Sequence, residues 1–178
     1  MSLRSPHRSR SRIRPSTFPV VSLPHTHSCF VCGESNAHGL HLRFTTDGKS
    51  VQTRFTPRAE HIGFKALTHG GILATVLDEI MVWAVAVGAR RFAYCAELTV
   101  RFHQPSRPEE ELVASAELIA NRRNKLFEAK ADLRNPSGQT VATAIGKYLP
   151  VPAGEVPAML TELVGDWSAI EAGGSPVP

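Results

Sequence analysis

Between Gly70 and Gly88 the chain is apolar at nearly every position, broken only by Thr75 and by the adjacent acids Asp78 and Glu79. The run is long enough for about five helical turns, and Gly88 offers a natural stop. A helix that is apolar on almost every face cannot leave a broad side to water, so another layer must wrap it. The flanking sequence supplies that layer. Leu40–Thr46 and Ser50–Thr56 alternate apolar and polar residues around Asp47-Gly48, which is a hairpin signal. After the helix come Tyr94–His103, Glu111–Ala120, Lys125–Arg134 and Thr140–Leu149, separated by short segments rich in Pro, Asn, Ser and Gly. The order ββαββββ with short links predicts an α+β architecture: a curved antiparallel β-sheet wrapped around a long central α-helix.

The folded body is expected over 29–150. Residues 1–28 read as a disordered basic extension, because up to residue 24 the chain is rich in Ser, Arg and Pro, lacks acids and shows no periodicity. Residues 151–178 read as a Pro/Gly-rich tail, in which Ala158–Leu163 has the composition of a short helix. Five of the 20 Lys and Arg are Arg4, Arg8, Arg10, Arg12 and Arg14, leaving fifteen for the rest of the chain against 16 acids. The net charge of +4 therefore belongs to the extension, and no basic groove for nucleic acid is expected in the domain. No membrane span is expected either, since a span needs roughly 20 apolar residues and Asp78 and Glu79 cut the richest run short.

Three cysteines, two of them as Cys29-x-x-Cys32, do not make a disulfide framework, and they fit a reducing compartment such as the cytoplasm. The Arg- and Ser-rich N-terminus also has the composition of an organelle transit peptide, although its prolines oppose an amphipathic helix.

Asp78 is costly to bury unpaired in so apolar a segment, which asks for a functional reason. At the helix start, Gly70-Gly71 combine close backbone approach with unpaired N–H groups and a positive dipole end, a combination suited to an oxyanion hole. The plainer alternative is that His69 and the glycines only cap and pack the helix. Seven residues separate Gly71 from Asp78, placing them on one helical face but about 10 Å apart. One carbonyl hardly meets both within a subunit. Two antiparallel helices from an isologous homodimer would bring Gly71 of one chain opposite Asp78 of the other.

The stretch Glu60 to Glu79, with His69-Gly70-Gly71 followed by Asp78, resembles the hotdog-fold thioesterase superfamily, specifically its PaaI-like acyl-CoA thioesterase branch. So do Cys29-Phe-Val-Cys-Gly33 with Gly39-Leu40, Glu97-Leu98-Thr99-Val100-Arg101-Phe102, and Gly138 leading into Ala142-Thr143-Ala144. The resemblance covers most of 29–149. It implies hydrolysis of an acyl-CoA or related acyl thioester without cofactor or metal, in a homodimer that can pair into a tetramer as a dimer of dimers. It also implies that Asp78 acts as general base or nucleophile, while the Gly71 N–H and His69 polarise the carbonyl.

Substrate contacts implied by the same resemblance are Gly70, His61, Phe64 and Leu67 around the helix start, Cys95 on the following strand, and Arg122, Arg123 and Lys125 near the CoA phosphates. Trp83 has the bulk to wall an acyl pocket, and packing explains it equally well. One departure stands out: Val82 occupies the position where relatives often carry a water-holding Ser or Thr. That departure keeps open a non-catalytic acyl-CoA-binding protein. A hotdog dehydratase or hydratase is a further alternative, although no Asp-x4-His is present. Glu79 is expected to pair with Arg101 or another cation rather than to act on substrate. Cys29 and Cys32 with His38, His41, His25 and His27 raise a zinc or redox alternative, but their spacing does not match a zinc finger.

Overall fold

The structure is a computed structural model that describes residues 20–171. Its strands are β1 (Val21–Ser22), β2 (His25–Thr26), β3 (Thr45–Thr46), β4 (Ser50–Phe55), β5 (Ala93–Phe102), β6 (Leu112–Arg122), β7 (Leu126–Arg134), β8 (Thr140–Pro150) and β9 (Leu163–Val164). Its helices are α1 (Gly70–Ala89), α2 (Val156–Thr161) and α3 (Ser168–Glu171). Seven strands form one antiparallel sheet in the order β1-β3-β4-β6-β7-β8-β5, curved around α1. This is the hotdog arrangement the sequence leads one to expect.

Period-two alternation puts Val51, Thr53 and Phe55 of β4, Leu112, Ala114 and Ala116 of β6, and Phe127, Ala129, Ala131 and Leu133 of β7 on the buried face. Alanine recurs there because the helix lies close, presenting Leu73, Val76, Leu77, Ile80, Met81 and Val85 to the sheet. Each of these larger side chains contributes about 1.5–3 kcal/mol by leaving water. The helix has the length and composition of a membrane span, yet the sheet covers most of its faces.

The helix does not stop at Gly88. It continues to Ala89, and Arg90 adopts the left-handed C-cap with φ 54°. Gly88 serves proximity instead, since a Cβ there would come within 2.9 Å of the Leu118 Cβ on β6. At the predicted hairpin, Asp47 Oδ1 accepts from the backbone N–H of Lys49 and Ser50, and Gly48 sits at φ 83°.

Two expectations change. The run Leu40–Thr46 is a ladder strand only at Thr45–Thr46; upstream, His41 takes φ 54°, and the N–H groups of Leu40 and Leu42 donate to the carbonyls of Phe30 and Val31. Its alternation reflects a loop laid over the core, with Leu40, Leu42 and Phe44 buried. The ordered body also extends past 29–150 on both sides. β1 pairs with β3, and β2 pairs antiparallel with β9, so parts of both presumed tails clasp each other. Backbone pairing and isolated apolar anchors such as Leu23 and Ile170, rather than apolar periodicity, hold these pieces, which is why composition does not reveal them. The extension before residue 20 and the chain after residue 171 lie outside the described residues.

Candidate active site on the open face of the central helix

Gly71, Ala74, Thr75, Asp78 and Val82 follow helical spacing along the side of α1 that the sheet leaves partly open. Asp78, half-buried at mid-helix, is therefore both accessible and near the core. The hydroxyl of Tyr148, a fully buried residue near the end of β8, donates to Asp78 Oδ1 at 3.0 Å. Burial first, then the Asp78 carboxylate, pushes the Tyr148 phenol well above its usual range, so it remains a donor. Cys95 faces Tyr148 across the β5–β8 ladder, beside an irregularity between Cys95 and Glu97 that re-aims this end of the strand. Burial and a hydrogen bond to Asp78 raise the Cys95 thiol to about 11. Asp78 thus accepts from the Tyr148 hydroxyl, which stays protonated, and neighbours the Cys95 thiol.

Tyr148 was not legible as a site residue. The signal lies two positions upstream: a Cβ at Gly146 would come within 2.6 Å of the Tyr148 ring and hydroxyl, so glycine makes the room in which that ring lies.

At the start of α1, His69 is the N-cap, and its Nδ1 accepts the Gly71 N–H at 2.9 Å. The capping alternative is thus realised in this state. Because Nδ1 accepts, the proton of a neutral ring resides on Nε2, and exposed His69 presents that donor outward. Gly70 lies under the Phe102 ring, and together with Leu67, Thr68, Leu73 and Gln104 it borders a cavity of about 340 Å³. A larger concavity, about 760 Å³, lies elsewhere and is lined by Thr99, Arg101, His103, Glu117, Lys130 and Asp132. Neither lining contains Asp78 or Gly71; the smaller cavity adjoins the helix start through Gly70 and Leu73, so position and chemistry rather than size single it out.

The remaining predicted contacts divide. Leu67 borders the smaller cavity and Phe64 is 72% exposed in the preceding loop. His61 turns inward instead: it is buried, stacks on Phe55 at 5.8 Å, accepts the Arg58 N–H on Nδ1, and has its pKa lowered by burial. It shapes the loop rather than lining it. Trp83 is core, packed on Phe44 at 6.0 Å. Arg122, Arg123 and Lys125 lie on the exposed β6–β7 hairpin, where Arg122 is bound to Glu128 at 2.7 Å and Arg123 takes φ 56° in the turn. This tip is at the far end of the helix from Gly71, because Gly88 lies against Leu118 only a few residues before it.

Glu79 does not pair with Arg101. Its carboxylate accepts from Trp83 Nε1 at 3.2 Å and from Cys32 Sγ at 3.4 Å, with Cys29 Sγ 3.9 Å away. Burial is the main cause that pushes it up to about 7. Cys29 is held down to about 5, chiefly by a hydrogen bond from Cys32, whose own thiol is driven upward by the same bond and by burial. The histidines considered as partners for these cysteines turn elsewhere: His25 and His27 flank Glu34, and His41 Nδ1 bonds the Gly33 carbonyl.

Residues 66–142 match the family profile described as the thioesterase superfamily. Among solved structures, the chain resembles a thioesterase superfamily protein at 26% identity and TM-score 0.64, over 70% of this chain and 60% of that one. The E. coli PaaI protein from the phenylacetic acid degradation operon aligns at 20% identity and TM-score 0.58, over 64% and 81% of the respective chains. A Streptococcus mutans protein whose structure holds acetyl CoA aligns at 16% identity and TM-score 0.54, over 58% and 82%. The chain therefore spans less than two thirds of the first of these. No curated protein sequence matches it.

Proposed function

With a thioesterase-superfamily segment at residues 66–142 seated on a hotdog fold, we propose that this protein hydrolyses acyl-CoA or a related acyl thioester, with Asp78 as the catalytic carboxylate. The observation that carries the reading is a half-buried aspartate on the open face of an otherwise covered helix, oriented by the Tyr148 hydroxyl. A carboxylate so held serves as a base for water or as a nucleophile toward the thioester carbon.

The carbonyl oxygen would be polarised at the start of the helix, by the Gly71 N–H once the His69 ring swings aside, or by His69 Nε2. Removing one such donor elsewhere costs on the order of 3–4 kcal/mol. The acyl group would enter the cavity bordered by Leu67, Gly70, Leu73 and Phe102.

Assembly completes the reading. β5 ends the sheet with one long edge unpaired among the described residues, and most of its side chains are exposed. Edge-to-edge pairing of two copies would bury that edge and set the open helix faces antiparallel. Asp78 of one chain would then approach Gly71 of the other. The partner's β6–β7 tip would come to the same end, offering Arg123 and Lys125 to the CoA phosphates while Arg122 remains engaged by Glu128.

Thiol release from a panel of aromatic and aliphatic acyl-CoAs, by wild type beside Asp78→Asn, tests the proposal. Turnover that collapses in the variant supports it; turnover that survives undiminished removes Asp78 from the mechanism. The capped Gly71 N–H and the apolar Val82 favour one second reading, a protein that binds acyl-CoA without cleaving it. Saturable binding with no thiol release by folded, dimeric wild type would select that reading.

A further inference from the structure

We propose that Cys29, Cys32 and Glu79 form a three-ligand site for one thiophilic divalent cation, with zinc the expected occupant, joining the N-terminal loop to the central helix. The Sγ atoms and a carboxylate oxygen all lie within 4.8 Å of one another, although Glu79 is 47 residues from Cys32. Bonds of about 2.3 Å to sulfur and about 2.1 Å to oxygen at a tetrahedral angle set sulfur and oxygen about 3.6 Å apart. The observed separations from Glu79 Oε1 are 3.4 Å to Cys32 and 3.9 Å to Cys29.

The surroundings fit a metal loop. Cys29-Phe-Val-Cys-Gly33 is a tight turn closed by Gly33 N–H donating to the Cys29 carbonyl at 2.9 Å, and a Cβ at Gly33 would come within 2.3 Å of that oxygen. The Val31 N–H donates to Cys29 Sγ at 3.2 Å, which stabilises a thiolate. Thr26 accepts the Cys29 N–H and lies 3.5 Å from Cys32 Sγ, while Trp83 Nε1 orients Glu79 from the helix. Each ligand thus has an outer partner of the kind that fixes metal ligands.

The charge balance points the same way. Two thiols and a carboxyl crowd a site where Cys32 is fully buried, and among the described residues Glu79 makes no ion pair. Such acids either keep their protons or share a cation. On metal binding Cys29 and Cys32 release their thiol protons to solvent and become thiolates, and Glu79 binds as carboxylate, leaving the fourth position to water. No oxidant takes part.

The test uses the full chain, purified under nitrogen with thiols reduced. Elemental analysis is expected to give one zinc per chain, and cobalt replacing zinc is expected to show thiolate-to-cobalt charge-transfer absorption with tetrahedral bands. Glu79→Gln, close in size, should weaken zinc binding at least about tenfold in competition with a chromophoric chelator. Cys29→Ser with Cys32→Ser should abolish it. Reduced, folded wild type that takes up neither zinc nor cobalt overturns the site. Undiminished affinity in Glu79→Gln overturns its three-ligand form, and this variant decides the matter if the double serine variant does not fold. Thioester turnover enters none of these readouts, so the metal site and the hydrolase reading stand or fall separately.

Discussion

The hydroxyl of Tyr148 reaches Oδ1 of Asp78 at 3.0 Å across seventy residues of sequence, tying the last long strand to the middle of the helix. A hydrogen bond to a charged group contributes about 1.5–3 kcal/mol. Tyr148→Phe should therefore lower kcat/KM for the best acyl-CoA by about 10- to 100-fold while the fold persists, because ring packing is kept. Steady-state kinetics with circular dichroism checks this; unchanged kinetics would show that Asp78 needs no such partner.

The Tyr148 ring occupies space that an ordinary side chain at Gly146 would claim. Gly146→Ala should force the ring to move, lowering stability by about 1–3 kcal/mol through overpacking and activity by a factor similar to Tyr148→Phe. In kinetics the double variant Gly146→Ala with Tyr148→Phe should lose little more than either single change, since both act on activity through the Tyr148–Asp78 contact. The overpacking cost to stability remains, because the Phe ring still meets the added Cβ. Additive losses in kcat/KM would separate the two.

Cys95 is held at about 11 by burial and by Asp78. Because the thiolate is the reactive form, alkylation by iodoacetamide at pH 8 should be slower than for an unperturbed cysteine, and should accelerate as pH rises toward 11. Asp78→Asn removes the negative charge, lowers the Cys95 pKa and should speed labelling at fixed pH. Peptide-resolved mass spectrometry distinguishes Cys95 from Cys29 and Cys32.

Ala74 lies between Gly71 and Asp78 on the open side of α1. Ala74→Arg would put an unpaired charge into the proposed interface, where desolvation costs several kcal/mol. The expected product is a folded monomer without hydrolytic activity, seen by light scattering after size exclusion. A dimer of normal activity would exclude this helix face from the interface.

The central helix and the four strands after it could be read in advance because their signals are local: Leu73 to Val87 repeat apolar residues, and Asn135-Pro136-Ser137-Gly138 breaks the pattern between strands. The neighbour relations could not. β5 follows the helix yet pairs with β8 rather than β6, and nothing in Tyr94–Phe102 encodes that choice locally. Asp78 and the Gly70-Gly71 turn were legible as an acid and a helix start in apolar surroundings, whereas Tyr148 and the Gly146 space it needs emerge only with the sheet. Glu79 invites a basic partner because charge usually seeks charge; its actual neighbours, Cys29 and Cys32, come from a loop 47 to 50 residues upstream whose path carries no local signal.

The pairing of His25–Thr26 with Leu163–Val164 carries a consequence for biosynthesis. During synthesis β2 emerges well before its sheet partner among the described residues, β9, which follows nearly 140 residues later. The intervening sheet and helix can assemble first, with the Cys29–Cys32 turn fastened at one end and waiting at the other. A chain interrupted before Leu163 would own every residue named in the proposed catalysis and still lack the clasp, leaving the backbone of His25–Thr26 without its strand partner.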